Sequence, residues 1–77
     1  MINRDELKVL FLIASGEIDN VSSESVERAY GIEAVYCLVA LDKKGFVKLL
    51  PYGDYLWVRG LTLNGMLLAL KCINYDM

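Results

Sequence analysis

Few side chains in this sequence could make or break a covalent bond, and those that could stand without helpers. There is no histidine, which removes the commonest general base and the commonest metal ligand together. Ser15, Ser22, Ser23 and Ser25 therefore lack the imidazole that would turn a hydroxyl into a nucleophile, and none lies in a Gly-x-Ser-x-Gly turn. No glycine-rich loop is placed to cradle phosphates. A lysine could act as a base, but no neighbouring residues mark one out. Cys37 and Cys72 could form a redox pair; the expected reading is two small apolar packing residues. Asp19, Glu24 and Glu27 could be gathered around a cation, but acids at a helix start are better read as a solvated face favoured by the helix dipole. The expectation is a binding protein rather than an enzyme, with no metal and no cofactor.

The remaining chemistry is recognition. Arg28, Lys43, Lys44, Lys48 and Arg59 could form a weak positive arc able to contact phosphates. Tyr52, Tyr55 and Trp57 could form an aromatic patch of the kind that anchors protein interfaces, or could cover their own part of the core. Tyr36 and Cys37 could touch bases or a partner, or simply pack half-exposed. Against strong nonspecific affinity for nucleic acid stand a net charge of −2 and a pI near 4.9.

These side chains must be positioned by short elements. Asn3 caps a first helix, with Glu6 completing a capping-box pair. Leu7, Leu10, Phe11 and Ala14 follow at helical spacing, and Val9, Leu12 and Ile13 make the other side apolar as well. Ile18 and Val21 suggest a short strand. Ser22 or Ser23 caps a second helix, Glu24 to Tyr30, and Gly31 ends it. A third helix runs from Ile32 to Lys44, with Val35, Leu38 and Val39 as its inner stripe and Leu41 at the margin. Its other face carries Glu33, Tyr36, Cys37, Ala40 and Lys44, and it contains no Arg, Asn or Gln. Two strands follow, Phe46 to Leu50 and Tyr55 to Leu61, joined by the turn residues Pro51-Tyr52-Gly53-Asp54. Thr62 caps a last helix, Leu63 to Ile73, apolar on most sides.

The 77 residues allow one domain, and 56% of them are hydrophobic, above the usual ~45–50%. A core this small has little room for the excess. A helix apolar all round is buried all round, so one face of the first and last helices is expected to meet another chain. Acidic residues stand where a secretory peptide would be basic, and no apolar run reaches the ~18 residues of a membrane span. The expectation is a cytoplasmic protein with reduced thiols and no membrane contact.

Three runs carry a family likeness: Gly31-Ile32 between the second and third helices, Leu38-x-x-Leu41-x-x-x-Gly45-Phe46-Val47, and Leu61-Thr62-Leu63-Asn64-Gly65. In this order they resemble the winged helix-turn-helix family, most generally the small MarR- and PadR-type regulators. The resemblance implies an α+β winged helix over residues 1–77, with a helix-turn-helix at about 23–45, a wing at 46–61 and a C-terminal helix at 63–73. It implies that the third helix enters the major groove of double-stranded DNA and the wing touches the flanking backbone. The DNA-facing residues would be Tyr36, Lys43, Lys44, Lys48 and Arg59, in a transcriptional regulator. It also implies a homodimer through the outer helices, with Val9, Leu12, Ile13, Met66, Leu67 and Leu70 at the interface. The alternative is a winged helix that binds protein instead of DNA, an adaptor or a small acidic inhibitor of the mobile-element type, through Glu33, Tyr36, Tyr52 and Trp57.

Overall fold

In a computed structural model of the chain, which describes residues 2–75 and side chains to residue 73, the first helix starts at the expected cap. Asn3 Oδ1 accepts from the Glu6 amide at 2.8 Å, and the Asn3 amide donates to Glu6 Oε1 at 2.9 Å. This reciprocal pair satisfies two otherwise orphaned donors and starts α1 (Arg4–Ala14). The buried side of α1 is Glu6, Val9, Leu10 and Ile13. Leu7 and Phe11 are half-buried against it, and Ala14 is exposed. The inner face is thus rotated from the Leu7–Leu10–Phe11–Ala14 stripe. Val9 and Ile13, placed by sequence on a face for a second chain, belong to the protomer's own core, and Leu12 is half-buried against that core.

The connector after α1 buries Ile18 and then forms β1 (Val21–Ser22), too short to include Ile18. Ser22 caps α2 (Ser23–Tyr30), its hydroxyl accepting from the Ser25 amide. Ser23 is buried for a different purpose. Its hydroxyl accepts from the Leu56 amide at 3.0 Å, satisfying a strand donor next to where β1 stops. Gly31 separates α2 from α3 (Ile32–Lys43).

Next come β2 (Val47–Tyr52) and β3 (Tyr55–Leu61), antiparallel, with β3 central between β1 and β2. Tyr52 pairs with Tyr55, so the turn is the two-residue Gly53-Asp54 and Pro51 lies inside the strand rather than in the turn. The ladder skips Arg59: Lys48 opposes Gly60, while Leu49 opposes Val58. This bulge has a consequence for the core. Val58 and Leu61 are three residues apart and would face opposite sides of a regular strand. The extra residue corrects the parity, so that Val58 is buried and Leu61 packs against the core while Arg59 stays exposed. Gly60, at φ 133°, supplies a backbone angle that side-chain-bearing residues resist. Lys48, Pro51 and the bulge also guard the outer edge of the sheet against strand addition.

Thr62 joins the hairpin to α4 (Leu63–Tyr75). Its hydroxyl donates to the Gly45 carbonyl at 2.6 Å and accepts from the Gly65 amide at 3.0 Å, and its amide donates to the Phe46 carbonyl at 3.0 Å. This explains the spacing of Thr62 and Gly65: one residue caps α4 and clasps it to the end of α3, and the other lets the backbones touch. A Cβ on Gly65 would overlap the Phe46 carbonyl oxygen and stand 2.9 Å from its carbon.

The result is an α+β fold of four helices on a three-stranded antiparallel sheet. Leu10, Ile18, Val26, Leu38, Leu41, Val47 and Val58 are fully enclosed at its centre, and Ala69 brings in α4. No helix among the described residues is long and apolar enough to cross a membrane. Because the atoms met at Gly65 are backbone, Gly65→Ala is predicted to destabilise the fold by about 2–3 kcal/mol or more. Thr62→Ala, which removes a cap and a tertiary hydrogen bond, should cost about 1–2 kcal/mol. Urea unfolding of both variants checks the order.

Candidate functional site

Which side of α3 faces outward follows from what it must bury. Ala34, Leu38 and Leu41 are its buried residues, spaced i, i+4, i+7, and Val35 and Val39 are only half-buried. The inner stripe is therefore turned from the Val35–Leu38–Val39 face, because Leu41, with no exposed surface, belongs at the centre rather than the margin. Turning the helix brings Ile32, Tyr36 and Lys43 to its solvent pole, at i, i+4 and i+11. Tyr36 is 65% exposed, and Ile32 is exposed beside it. Glu33 is also exposed, on the flank toward α1, where it lines a shallow groove with Tyr30, Asp5 and Lys8. Cys37 is half-buried against the core.

The two lysines that end this helix have different roles. Lys43 is exposed. Lys44 reaches back to α1, where its ammonium donates to Glu6 Oε1 at 2.7 Å. The Glu6 side chain is only 7% exposed, and a carboxylate so enclosed requires a partner. The hydrogen bond from Lys44, then that from the Asn3 amide, hold its carboxyl below the ordinary 4.5 despite the opposing effect of burial. Lys44, expected at a DNA surface, thus also makes a tertiary ion pair, with its side chain 32% exposed. Cys37 responds in the opposite sense. Burial first, then the charges of Glu6, Asp5 and Glu33, push its thiol above the ordinary 9.0, so it stays protonated at neutral pH and is a poor nucleophile.

The hairpin presents the second group. Tyr52 and Trp57 meet with ring centroids 4.9 Å apart and planes tilted by 56°, a favourable aromatic contact. The Trp57 indole N–H donates to Asn20 Oδ1 at 2.7 Å. Asn20 holds the left-handed φ of 53° that its residue type tolerates. Trp57 is therefore half-buried and fixed, while Tyr52 is exposed over it. Tyr55 lines a surface depression with Glu24, Glu27 and Arg28. Lys48 and Arg59 are exposed on the strands. Arg28 pairs with Glu24 at 3.3 Å, an exposed i,i+4 contact of small energetic weight.

Of the residues proposed from sequence, the structure leaves Tyr36, Lys43, Lys48, Arg59, Glu33 and Tyr52 exposed, half-buries Trp57, and pairs the partly exposed Lys44 with Glu6. Sequence reasoning missed Ile32, the outward neighbour of Tyr36, although a helical wheel phased on Leu38 and Leu41 would have found it. It also missed Asn20 as the support for Trp57, for which no local pattern gives a signal. Among the described residues no group of three His, Cys, Asp or Glu side chains is arranged to hold a metal ion. No protein-family model, characterised protein or solved structure matches the chain.

Glu6 makes a prediction about acid. Its folded value is depressed, so its contribution is complete above the unfolded carboxylate value and is lost as pH falls through the lower folded value. Stability should therefore drop below about pH 4.5 more steeply in the native chain than in Glu6→Gln. Urea midpoints measured from pH 7 to pH 3 check this, and parallel acid limbs for the two proteins would contradict it.

Proposed function

We propose that this chain is a winged-helix module that binds another protein. Its principal contact is the solvent pole of α3, and the Tyr52–Trp57 pair of the hairpin is a second. The order helix, short strand, helix, helix, hairpin, helix supports the winged-helix reading, and the Thr62–Gly65 clasp gives the family-like run a physical purpose. The observation that carries protein binding is the composition of the α3 pole. Ile32 and Tyr36 stand where a base reader needs the fork or amide of Arg, Asn or Gln, and one of the two lysines at its end is held by Glu6.

An exposed tyrosine beside an isoleucine suits an apolar pocket on a folded partner. Tyrosine loses little rotamer entropy on burial and retains a hydroxyl for the rim. Glu33 and Lys43 would lie at that rim and set orientation rather than affinity. Trp57, already fixed by Asn20 and Tyr52, offers a preorganised surface.

A second reading has its own support: Lys43, Lys48 and Arg59 are exposed on α3 and the hairpin, where a winged-helix regulator touches phosphates. The two readings differ in their salt dependence, because phosphate contacts release counterions. Fluorescence anisotropy with random-sequence duplex DNA, at low and at physiological salt, should show no binding in either. Micromolar binding that falls steeply with salt, and that Lys43→Glu with Lys48→Glu removes, would transfer the proposal to DNA. For protein binding, a photo-crosslinking residue at position 36 should give one discrete protein adduct in the source cells, and the same probe at exposed Arg4 should give none.

A further inference from the structure

The outer face of the sheet gathers a set of side chains distinct from those of the α3 pole. Val21, Leu49 and Leu61 pack against the core, and Val58 is enclosed in it. Successive side chains of a strand face opposite sides, so Ser22, Lys48, Leu50, Tyr52, Tyr55 and Trp57 lie on the solvent side. The pairings arrange them in rows. Tyr52 opposes Tyr55 at the tip, and Leu50, Trp57 and Ser22 cross the middle. At the base Lys48 opposes Gly60, next to the bulged Arg59. Charge follows the same order. The tip has Asp54 in the turn, and Glu24 and Glu27 with Arg28 around Tyr55. The base has two exposed cations, and among the described residues neither Lys48 nor Arg59 is in an ion pair.

We infer that this face is a stacking platform for single-stranded nucleic acid, with bases on Tyr52 and Trp57 and the adjoining phosphates at Lys48 and Arg59. Three features favour that ligand. First, the aromatic surface is presented in a fixed geometry. Tyr52 is 55% exposed and tilts across Trp57, whose indole N–H is already taken by Asn20. The pair therefore acts through ring surface rather than through a directed donor, which suits a base of any kind. Second, the cations are close. Lys48 stands two residues from Leu50 along β2, about 7 Å, and both cationic side chains are long enough to reach a phosphate beside a stacked base. Third, the charge gradient orients the strand. Its anionic backbone lies over the basic end of the face, and its uncharged bases lie toward the acidic tip.

The site differs from a duplex contact. A double helix keeps its base faces inside the stack and offers phosphates and groove edges instead, and two cations release few counterions. The site is also separate from the α3 pole, so it stands whether or not that pole binds protein. A protein docked on the hairpin would compete with the strand for Tyr52.

Trp57 is the single tryptophan of the chain, so its fluorescence reports directly on this face. Titration of the whole chain at low salt with an oligothymidylate of about twelve residues should quench that emission. The anisotropy of the same strand carrying a label should give the same affinity. Added salt should weaken binding with a log–log slope of about −1.4, as for two phosphates of a single strand. Tyr52→Ala should weaken binding roughly tenfold, and Tyr52→Phe should retain it. Lys48→Glu with Arg59→Glu should abolish it, while Tyr36→Ala on α3 leaves it unchanged. All four positions are exposed, so the circular dichroism of the variants should match that of the native chain. An oligothymidylate that neither quenches Trp57 nor gains anisotropy would overturn the proposal and leave the face to protein. Duplex bound as tightly as the single strand, or an affinity indifferent to Tyr52→Ala, would overturn it as well.

Discussion

A carboxylate with as little exposure as that of Glu6 is costly unless it is paired and hydrogen-bonded. Glu6 finds the Asn3 amide within its own helix start and the Lys44 ammonium at the far end of α3. The joint then extends. Immediately after Lys44 the Phe46 amide donates back to the Leu41 carbonyl, while the Gly45 and Phe46 carbonyls accept from Thr62. The start of α1, the end of α3 and the start of α4 are thus tied within three successive residues, Lys44 to Phe46. Thr62 and Gly65 complete the joint from the other side, and the hairpin leaves and returns through it.

This constraint shapes the surface as well as stability. It removes one cation from the end of α3, and with Leu41 fully buried it sets the rotation that turns Ile32 and Tyr36 outward. What remains on that pole is apolar and aromatic, with one lysine at its end. The hydrophobic composition divides in the same structure: much is enclosed, part forms the α3 pole and the hairpin pair, and the largest exposed share lies along α4.

Much of the architecture was legible because local chemistry and fold agree. Asn3 with Glu6, Ser22, and Thr62 with Gly65 marked helix starts that the structure keeps. Rotations were harder to read. On α1 after Glu6 and on α3 between Glu33 and Asp42 almost every position is apolar, so periodicity alone could not choose between Val9 and Leu7, or between Ala34 and Val35, as the inner residue. Small Ala34 is buried by the packing of α3 on α1 and α2, a tertiary effect with no local signal. The bulge was encoded in Gly60, whose place inside a strand is its usual signature. The commitment of Lys44 was not legible, because the pair spans 38 residues and the capping-box role of Glu6 already accounted for its presence.

Whether Glu6 and Lys44 act as one structural unit is read most directly from a double-mutant cycle. Urea unfolding at neutral pH of the native chain, Glu6→Gln, Lys44→Met and the double variant isolates the pairwise energy. The expected coupling is roughly 1–2 kcal/mol, with each single change costing more than its share of the double. Strict additivity would contradict that coupling.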